Sequence, residues 1–253
     1  MSDTPVALIT AGSAGLGAAT ARLFARNGMR VAVNYYSNAE RANRLAEELA
    51  TISPDTLGKL DYVAIRADLG DRAQLTQLVD ETVRTFGRID VVFSNGGWTR
   101  FRDIGNLDDN VVEEDWDRCF NMNVKSHLFL MHAAKKHLDV TKGAFITTAS
   151  LAGVSVSGSS LAYSVTKAAQ IHLAKGLANA AGPNIRVNTV SPGLMLTDWG
   201  LEVFSVEKQN AIRERTRLKR LVEVDDVAEQ VLCLAKSKST TGVNVVIDGG
   251  MFA

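Results

Sequence analysis

The sequence has few cysteines, no long apolar run and no excess of either charge. Only Cys119 and Cys233 occur in 253 residues, without the C-x-x-C spacing of a metal or redox site and without the framework of a disulfide-rich domain. A reducing compartment is therefore expected, with cytoplasmic residence as the default. No uncharged apolar stretch approaches about 18 residues, so no transmembrane helix is expected. The first residues lead into a strand pattern rather than a secretory signal.

Charge balance and histidine spacing exclude two further classes. Acidic and basic residues number 28 each, so the net charge is zero and nothing favours binding to nucleic acid or to an anionic membrane. The basic stretch at residues 213–220 is interspersed with or flanked by acidic residues, which is typical of a solvated face or a subunit contact. No metal site is expected, because paired metal-ligand spacing is missing from His127, His132, His137 and His172.

Short apolar runs alternate with amphipathic stretches along the chain. The runs lack the alternation of a half-exposed strand, so they predict strands buried on both faces, as in a parallel sheet. Predicted strands are residues 6–10, 30–33, 62–67, 89–94, 143–148, 185–190 and 243–247. Predicted helices are residues 18–28, 38–50, 73–86, 113–137, 162–180 and 225–235. This order predicts an α/β fold with one doubly wound parallel sheet, helices on both faces and a single domain over residues 1–253.

A glycine-rich loop follows the first predicted strand and opens the first predicted helix. The residues from Thr10 to Gly17 read T-A-G-S-A-G-L-G, with G-x-x-G-x-G spacing. Glycines at such a turn let the backbone approach a pyrophosphate, whose charge is stabilised by the amides at the helix N-terminus. Tight packing between strand and helix is the alternative explanation. The strand–loop–helix context favours nucleotide binding.

Tyr163 and Lys167 stand four residues apart in a stretch with a helical pattern, so one helix face carries both. A free tyrosine has a pKa of about 10, and lowering it by about 3 units takes about 4 kcal/mol. An ammonium group about 4 Å away supplies about that much at an effective dielectric constant of about 20. The pair therefore predicts a phenol that exchanges a proton near neutral pH, with the Ser150 hydroxyl holding a substrate oxygen beside it. An ordinary surface pair is the alternative.

Six motifs, taken in order, resemble the short-chain dehydrogenase/reductase superfamily over essentially the full length. They are the loop from Thr10 to Gly17, the segment from Ser94 to Gly97, Asn123, Ser150, the pair Tyr163 and Lys167, and Pro192 with Gly193. Ala11 stands where the family usually has a glycine, and Gly12 is expected to make the turn in its place. Ser94 and Gly96 replace an asparagine and an alanine. The resemblance implies a Rossmann-type fold and an NAD(P)-dependent oxidoreductase that moves hydride between nicotinamide and a carbonyl or secondary alcohol.

The resemblance also implies roles for individual side chains. Tyr163 would be the general acid or base, and Lys167 would lower its pKa and hold the nicotinamide ribose. Ser150 would orient the substrate oxygen, and Asn123 would support a water that relays protons. The implied cofactor contacts are Thr10, Gly12, Ser13, Gly15, Leu16, Gly17, Tyr35, Tyr36, Ser37, Asn38, Asp68, Leu69, Asn95, Gly96, Tyr163, Lys167, Pro192, Gly193 and Thr197.

The end of the second strand favours NADP over NAD. An acidic residue there would bind the adenosine ribose and repel a 2′-phosphate. Tyr35 occupies that position instead. Strings of this kind usually accompany NADP in the family, with Ser37 and Asn38 donating to the phosphate. Arg41, a turn further on, is either a further donor or a solvated helix residue.

The same resemblance places the substrate against Trp98, Leu151, Met195 and Trp199, with Phe204 nearby and a mobile flap at about residues 194–215. These side chains are apolar or aromatic, which predicts a hydrophobic cyclic or aromatic ketone rather than a sugar or a charged acyl carrier. Arg100 and Arg102 would overturn that inference if they reached the substrate. A homotetramer is also implied. Two alternatives stay open, namely an NADP-binding epimerase or dehydratase and a non-catalytic nucleotide sensor.

Overall fold

The computed structural model describes residues 3–54, 57–197 and 204–252. Its strands are β1 (Val6–Ile9), β2 (Arg30–Tyr35), β3 (Tyr62–Arg66), β4 (Val91–Ser94), β5 (Ala144–Thr148), β6 (Arg186–Pro192) and β7 (Asn244–Ile247). They pair in parallel in the order β3-β2-β1-β4-β5-β6-β7. The predicted doubly wound parallel sheet is confirmed.

Helices cover both faces of the sheet. They are α1 (Gly15–Arg26), α2 (Ala39–Ile52), α3 (Arg72–Phe86), α4 (Glu113–Phe120), α5 (Ser126–Thr141), α6 (Leu161–Ala181), α7 (Val206–Arg215) and α8 (Val224–Lys236). One apolar core joins the sheet to α1, α2 and α8, and a second joins it to α3, α5 and α6. Within the described part of the chain, no helix has the length and apolar character needed to cross a bilayer.

The fully apolar strand sequences follow from this sandwich. In β1, Ala7 and Ile9 belong to one core, whereas Val6 and Leu8 belong to the other, and all four side chains are buried. Since both faces of the sheet are covered at β1, each position of this strand faces an apolar layer.

The chain leaves β1 towards β2 on one side and pairs it with β4 on the other. Loops that follow β1 and β4 therefore diverge at the carboxyl edge of the sheet and leave a crevice, which is where open α/β sheets bind ligands. The glycine-rich loop follows β1, and the segment from Ser94 to Gly97 follows β4. Topology thus brings two of the sequence motifs together.

Two helix predictions need correction. The single helix predicted at residues 113–137 is divided, because a π-helical turn at Asn121–Lys125 separates α4 from α5. Asn121 donates to the Gly70 carbonyl at 3.0 Å and Asn123 to the Trp98 carbonyl at 2.9 Å, so tertiary hydrogen bonds hold this turn. Helix α7 was not predicted, because its sequence is charged on most sides and has few apolar residues.

Candidate active site

The glycine loop packs backbone directly on backbone. A Cβ on Gly17 would strike the Ala11 carbonyl oxygen and lie 2.8 Å from the Gly12 Cα. A Cβ on Gly12 would lie 2.9 Å from the Ile9 carbonyl oxygen. The loop therefore forms a cradle that any larger residue would fill, at the N-terminus of α1, where amides and the helix dipole favour an anion. This cradle fits the pyrophosphate of a dinucleotide.

Ala11, rather than Gly12, makes the sharp turn. Its φ is 46°, in the left-handed region, which costs an alanine about 1–2 kcal/mol. The expectation that Gly12 takes over the turn is wrong. Hydrogen bonds hold the strained residue, since the Ala11 amide donates to the Asn34 side-chain oxygen at 3.1 Å and the Gly12 amide to the Asn34 carbonyl at 2.8 Å.

Asn34 is a site residue that the sequence analysis missed. Its buried amide group also donates to the carbonyls of Ile65 at 3.3 Å and Ala67 at 3.1 Å, so one side chain joins the glycine loop to the ends of β2 and β3. The available signal was a lone asparagine that interrupts the apolar run R-V-A-V-N-Y. A buried amide is costly unless it is bonded, so such a position indicates a structural hub.

Thr10 acts within the protein as a tie between β1 and β4. Its hydroxyl accepts from the amides of Asn95 at 2.9 Å and Gly96 at 3.3 Å, and the Asn95 side-chain oxygen accepts from the Thr148 hydroxyl at 3.0 Å. Leu69 occupies the space that a Cβ on Gly96 would need. The glycine found where the family usually has alanine therefore has a packing reason.

The second departure in this segment also has a partner. The Ser94 hydroxyl lies 2.6 Å from Nδ1 of His127, and both are buried. Burial, aided by the neighbouring Lys167 ammonium, lowers the pKa of His127 to about 3. His127 is therefore neutral and ties the end of β4 to α5.

The predicted adenosine contacts gather at the carboxyl ends of β2 and β3. Tyr35 ends β2, Tyr36 is 61% exposed, and the Asn38 oxygen caps α2 by accepting from the Arg41 amide at 2.9 Å. Asp68 accepts from the Gly70 amide at 2.8 Å. On the opposite side of the crevice, a Cβ on Gly15 would meet the Thr197 methyl group at 3.1 Å, so Thr197 lies against the glycine loop. The remaining predicted contacts at the start of α1 and the end of β6 are Ser13, Leu16, Pro192 and Gly193.

Ser150, Tyr163 and Lys167 line one cavity of about 720 Å³. Ser150 follows β5, and Ser160 caps α6 by accepting from the Tyr163 amide at 3.1 Å. The turn after Ser150 is fastened to α6, because the Ser164 hydroxyl donates to the Ala152 carbonyl at 2.7 Å. The helix cap and the hydrogen bond between Ser164 and Ala152 thus bring together the three side chains that the sequence predicted.

Lys167 is buried and held by two oxygens. Its ammonium group donates to the Thr148 carbonyl at 2.8 Å and to the Gln170 side-chain oxygen at 2.9 Å. Burial lowers its pKa to about 7. Gln170, fully buried one turn further along α6, was missed, and a polar residue on the inner face of an otherwise apolar helix was the signal for it.

The phenol of Tyr163 has a raised pKa. Burial, which disfavours the phenolate, is the main cause, and the Ser150 hydroxyl offsets it in part. The expectation that Lys167 by itself lowers the pKa of the phenol towards neutral pH is wrong for this structure. The ammonium lies 5.6 Å from the centre of the tyrosine ring and is engaged with Thr148 and Gln170. Tyr163 is therefore protonated at neutral pH.

Asn123 lies beneath the cavity in the π-helical turn, a kind of distortion that often marks functional sites. Its oxygen accepts from the Trp98 amide at 2.7 Å, and its nitrogen donates to the Trp98 carbonyl at 2.9 Å and the Thr166 hydroxyl at 3.0 Å. The side chain thus holds Trp98 in place. Its predicted part in proton relay stays a prediction.

The predicted substrate side chains Trp98, Leu151, Met195 and Phe204 line the cavity, and Trp199 lies outside the described residues. Lys208 and Arg215 of α7 also line the cavity, so its wall carries charge beside this apolar surface.

The two arginines after Trp98 do not line this cavity. Arg100 pairs with Asp115 at 3.1 Å, and Arg102 pairs with the same carboxylate at 2.8 Å. Arg100 and Arg118 lie over the Trp98 ring, 5.7 Å and 4.6 Å from its centre. These arginines therefore fix the loop that carries Trp98.

Across residues 3–54, 57–197 and 204–252, no group of three or more His, Cys, Asp or Glu side chains is arranged to hold a metal ion. Burial raises the pKa of the Cys119 thiol to about 11, so it is protonated and a poor nucleophile.

Similarity to known proteins covers nearly the whole chain. The family model described as Enoyl-(Acyl carrier protein) reductase matches residues 10–252. The Streptomyces violaceoruber protein named "Granaticin polyketide synthase putative ketoacyl reductase 2" is 36% identical over 250 residues, covering 98% of this chain and 96% of that protein. A 3-oxoacyl-(acyl-carrier-protein) reductase of Staphylococcus aureus is 32% identical over 256 residues, covering 100% of both. A short chain dehydrogenase of Burkholderia cenocepacia, solved in complex with NADP, has a TM-score of 0.87, 32% identity and 98% coverage of each chain.

Proposed function

The chain belongs to the short-chain dehydrogenase/reductase superfamily and is an NAD(P)-dependent oxidoreductase, and from that premise we propose that it reduces a ketone with NADPH. The observation that carries the proposal is the convergence of Ser150, Tyr163 and Lys167 on one wall of a cavity at the carboxyl edge of the sheet. The relatives named as ketoacyl reductases and the similar structure solved with NADP support the same reaction class.

The state of Tyr163 suits reduction. Hydride transfer to the carbonyl carbon is the chemistry that bound NADPH would supply, and the carbonyl oxygen would then need a proton from the protein. A raised pKa keeps the Tyr163 phenol protonated, so it is ready to act as the general acid. The Ser150 hydroxyl beside it orients the carbonyl oxygen. Lys167, whose pKa is about 7, carries a charge that depends on pH near neutrality, and we assign it to the nicotinamide ribose.

Preference for NADP rests on the groups around the end of β2. Tyr35 stands where a carboxylate would exclude a 2′-phosphate, and it pairs in register with Arg66 of β3. The Arg66 Nε donates to the Tyr36 carbonyl at 3.2 Å, which sets the guanidinium beside this loop. We assign Arg66, together with Ser37 and the free amide nitrogen of Asn38, to the 2′-phosphate.

Substitution of Tyr163 by phenylalanine tests the function. It removes one hydroxyl, so NADPH affinity should stay within about twofold while kcat/KM for ketones falls by at least about 100-fold. Tyr62→Phe is the matched control, since Tyr62 is buried at the start of β3 and does not line the cavity, and its activity should be unchanged. Activity of Tyr163→Phe within about tenfold of the parent would reject the assignment.

NADPH oxidation across a carbonyl panel separates the rival functions. Consumption of NADPH with any ketone of the panel indicates a reductase, whereas conversion without consumption indicates an epimerase or dehydratase. Binding of NADPH without conversion of any substrate indicates a sensor.

A homotetramer in the cytoplasm completes the proposal. Leu128 of α5 is 39% exposed, and Ile171 and Leu173 of α6 are half-buried, so both helices offer apolar surface to another copy. Leu130, by contrast, belongs to the core. Both cysteines are free thiols, the state that a reducing compartment maintains. Light scattering at micromolar concentration should give four times the mass of the chain, and a monomer would contradict this.

A further inference from the structure

One face of α7 carries positive charge into the substrate cavity. Lys208, Ile212 and Arg215 follow one another at spacings of four and three residues, which places them on one side of the helix, and all three line the cavity. Among the described residues that line it, none is an aspartate or a glutamate. Together with Lys167, every charged side chain among the described lining residues is basic.

The described carboxylates of α7 do not pair with these two cations. Within the described ranges, neither Lys208 nor Arg215 takes part in an ion pair, whereas Glu214 pairs with Lys219 at 3.5 Å. Glu207 precedes Lys208 by one position, so it points about 100° away around the helix. The Lys208 ammonium lies 5.2 Å from the centre of the Phe204 ring, which itself lines the cavity. The positive charge is therefore available to a ligand.

We propose that the ketone substrate carries an anionic group, a carboxylate or a phosphate, which Lys208 and Arg215 bind. This inference rests on the proposed ketone reductase function and names its substrate class. An arginine binds either anion through two parallel hydrogen bonds, and a lysine adds a point charge. The apolar side chains of Trp98, Leu151 and Met195 then hold the body of the molecule. The substrate is an apolar ketone with a charged end.

The cofactor phosphates are the competing ligand for these cations. The cradle at the start of α1 already supplies backbone amides for a pyrophosphate. Substrate recognition therefore predicts that removing both cations leaves NADPH affinity unchanged, whereas phosphate recognition predicts that it weakens NADPH binding.

The experiment compares Lys208→Gln, Arg215→Gln and the double variant with Arg213→Gln. Arg213 is an exposed cation of the same helix that does not line the cavity, so it is a matched control. The substrates are a neutral aromatic bicyclic ketone and the same ketone bearing a carboxylate or a phosphate. For the parent, kcat/KM should favour an anionic ketone over the neutral one by at least about tenfold, about 1.4 kcal/mol. The double variant should lose that preference, and Arg213→Gln should match the parent.

Binding of each ketone, followed by quenching of tryptophan fluorescence, gives a readout that does not require turnover. Tighter binding of the anionic ketones that disappears in the double variant supports the inference. Equal affinity of the parent for neutral and anionic ketones, an unchanged preference in the double variant, or a large loss of NADPH affinity would each overturn it. Failure of the parent to oxidise NADPH with any ketone would instead reject the proposed function. The binding titration does not require turnover, so the two failures can be distinguished.

Discussion

The turn after Ser150 approaches α6 so closely that Gly153 is a sensitive point of the active site. A Cβ at this position would lie 2.5 Å from the Lys167 carbonyl carbon, 2.7 Å from its oxygen and 2.8 Å from the Ala168 nitrogen. Heavy atoms without a bond between them normally stand about 3.5–4.0 Å apart, so about 1 Å is missing. All three atoms are backbone, and they belong to the helix that carries Tyr163. Neither side yields by rotating a side chain.

Gly153→Ala should therefore push the turn away from α6 by about 1 Å. Overpacking of this size costs about 1–3 kcal/mol of the free energy of unfolding. The same displacement stretches the bond from the Ser164 hydroxyl to the Ala152 carbonyl, now 2.7 Å, and moves Ser150 relative to Tyr163. A misplacement of about 1 Å between reacting groups costs about 100-fold in rate, so kcat/KM should fall by about that factor.

Gly176→Ala on the same helix is the control. Nothing lies within 4 Å of a Cβ at Gly176, so this change should add about 0.5–1 kcal/mol to stability and leave kcat/KM unchanged. Urea unfolding gives the stabilities, NADPH titration shows that each variant keeps its fold, and ketone reduction gives the rates. Gly153→Ala with the parent's kcat/KM and midpoint would refute the argument that this contact positions Ser150.

Three further changes follow from the described contacts. Tyr35→Asp should shift the ratio of kcat/KM towards NAD, because a carboxylate repels a 2′-phosphate and accepts from ribose hydroxyls; an unchanged ratio would place selectivity elsewhere. Ala11→Gly should raise the free energy of unfolding by about 0.5–1 kcal/mol in urea, since relief of left-handed strain exceeds the entropy that glycine adds to the unfolded chain; equal or lower stability would contradict this. His127 has a depressed pKa of about 3 in the folded chain and about 6.5 unfolded, so its stabilising contribution is full above pH 6.5 and falls by up to about 1.4 kcal/mol per unit towards pH 3. His127→Gln should flatten that slope between pH 6.5 and 5, and an unaltered slope would assign it to other groups.

The strands and most helices were predictable because their signals are local. A run such as Val6 to Ile9 has no polar residue, and only a strand covered on both faces buries it all. The boundaries of α2, α3, α6 and α8 agree with the sequence pattern within two residues, since caps such as Asp71, which accepts from the Ala73 amide at 2.8 Å, are written in the sequence.

The break between α4 and α5 was not predictable in this way. Periodicity registers which positions are apolar, and the stretch from Glu113 onward continues to look helical. The π-helical turn depends on hydrogen bonds from Asn121 to Gly70 and from Asn123 to Trp98, and these partners are distant in sequence. A polar residue inside a helical pattern shows that the helix could be interrupted there. It does not show which distant loop the side chain would bond to.

The pair of Tyr163 and Lys167 shows a second limit. Helical spacing correctly places both side chains on one face of α6. An ammonium group that faced the phenol would lower the pKa of Tyr163, but the oxygens of Thr148 and Gln170 hold the Lys167 ammonium instead. Helical spacing determines which face of the helix carries a side chain. The oxygens that accept hydrogen bonds from its ammonium group determine where the charge lies.

The two cations of α7 that line the cavity bear on which substrate the protein binds. The spacing of Lys208 and Arg215 is readable in the sequence, but α7 has charge on most sides, so periodicity does not say which side is inner. Contacts between distant parts of the chain decide which side of α7 faces the cavity. Met195 bridges to Val222, and the Val222 amide donates to the Leu194 carbonyl at 3.1 Å, so the chain leaves the sheet and returns at the same point. One face of α7 then lines the cavity, and the proposed substrate class depends on that placement.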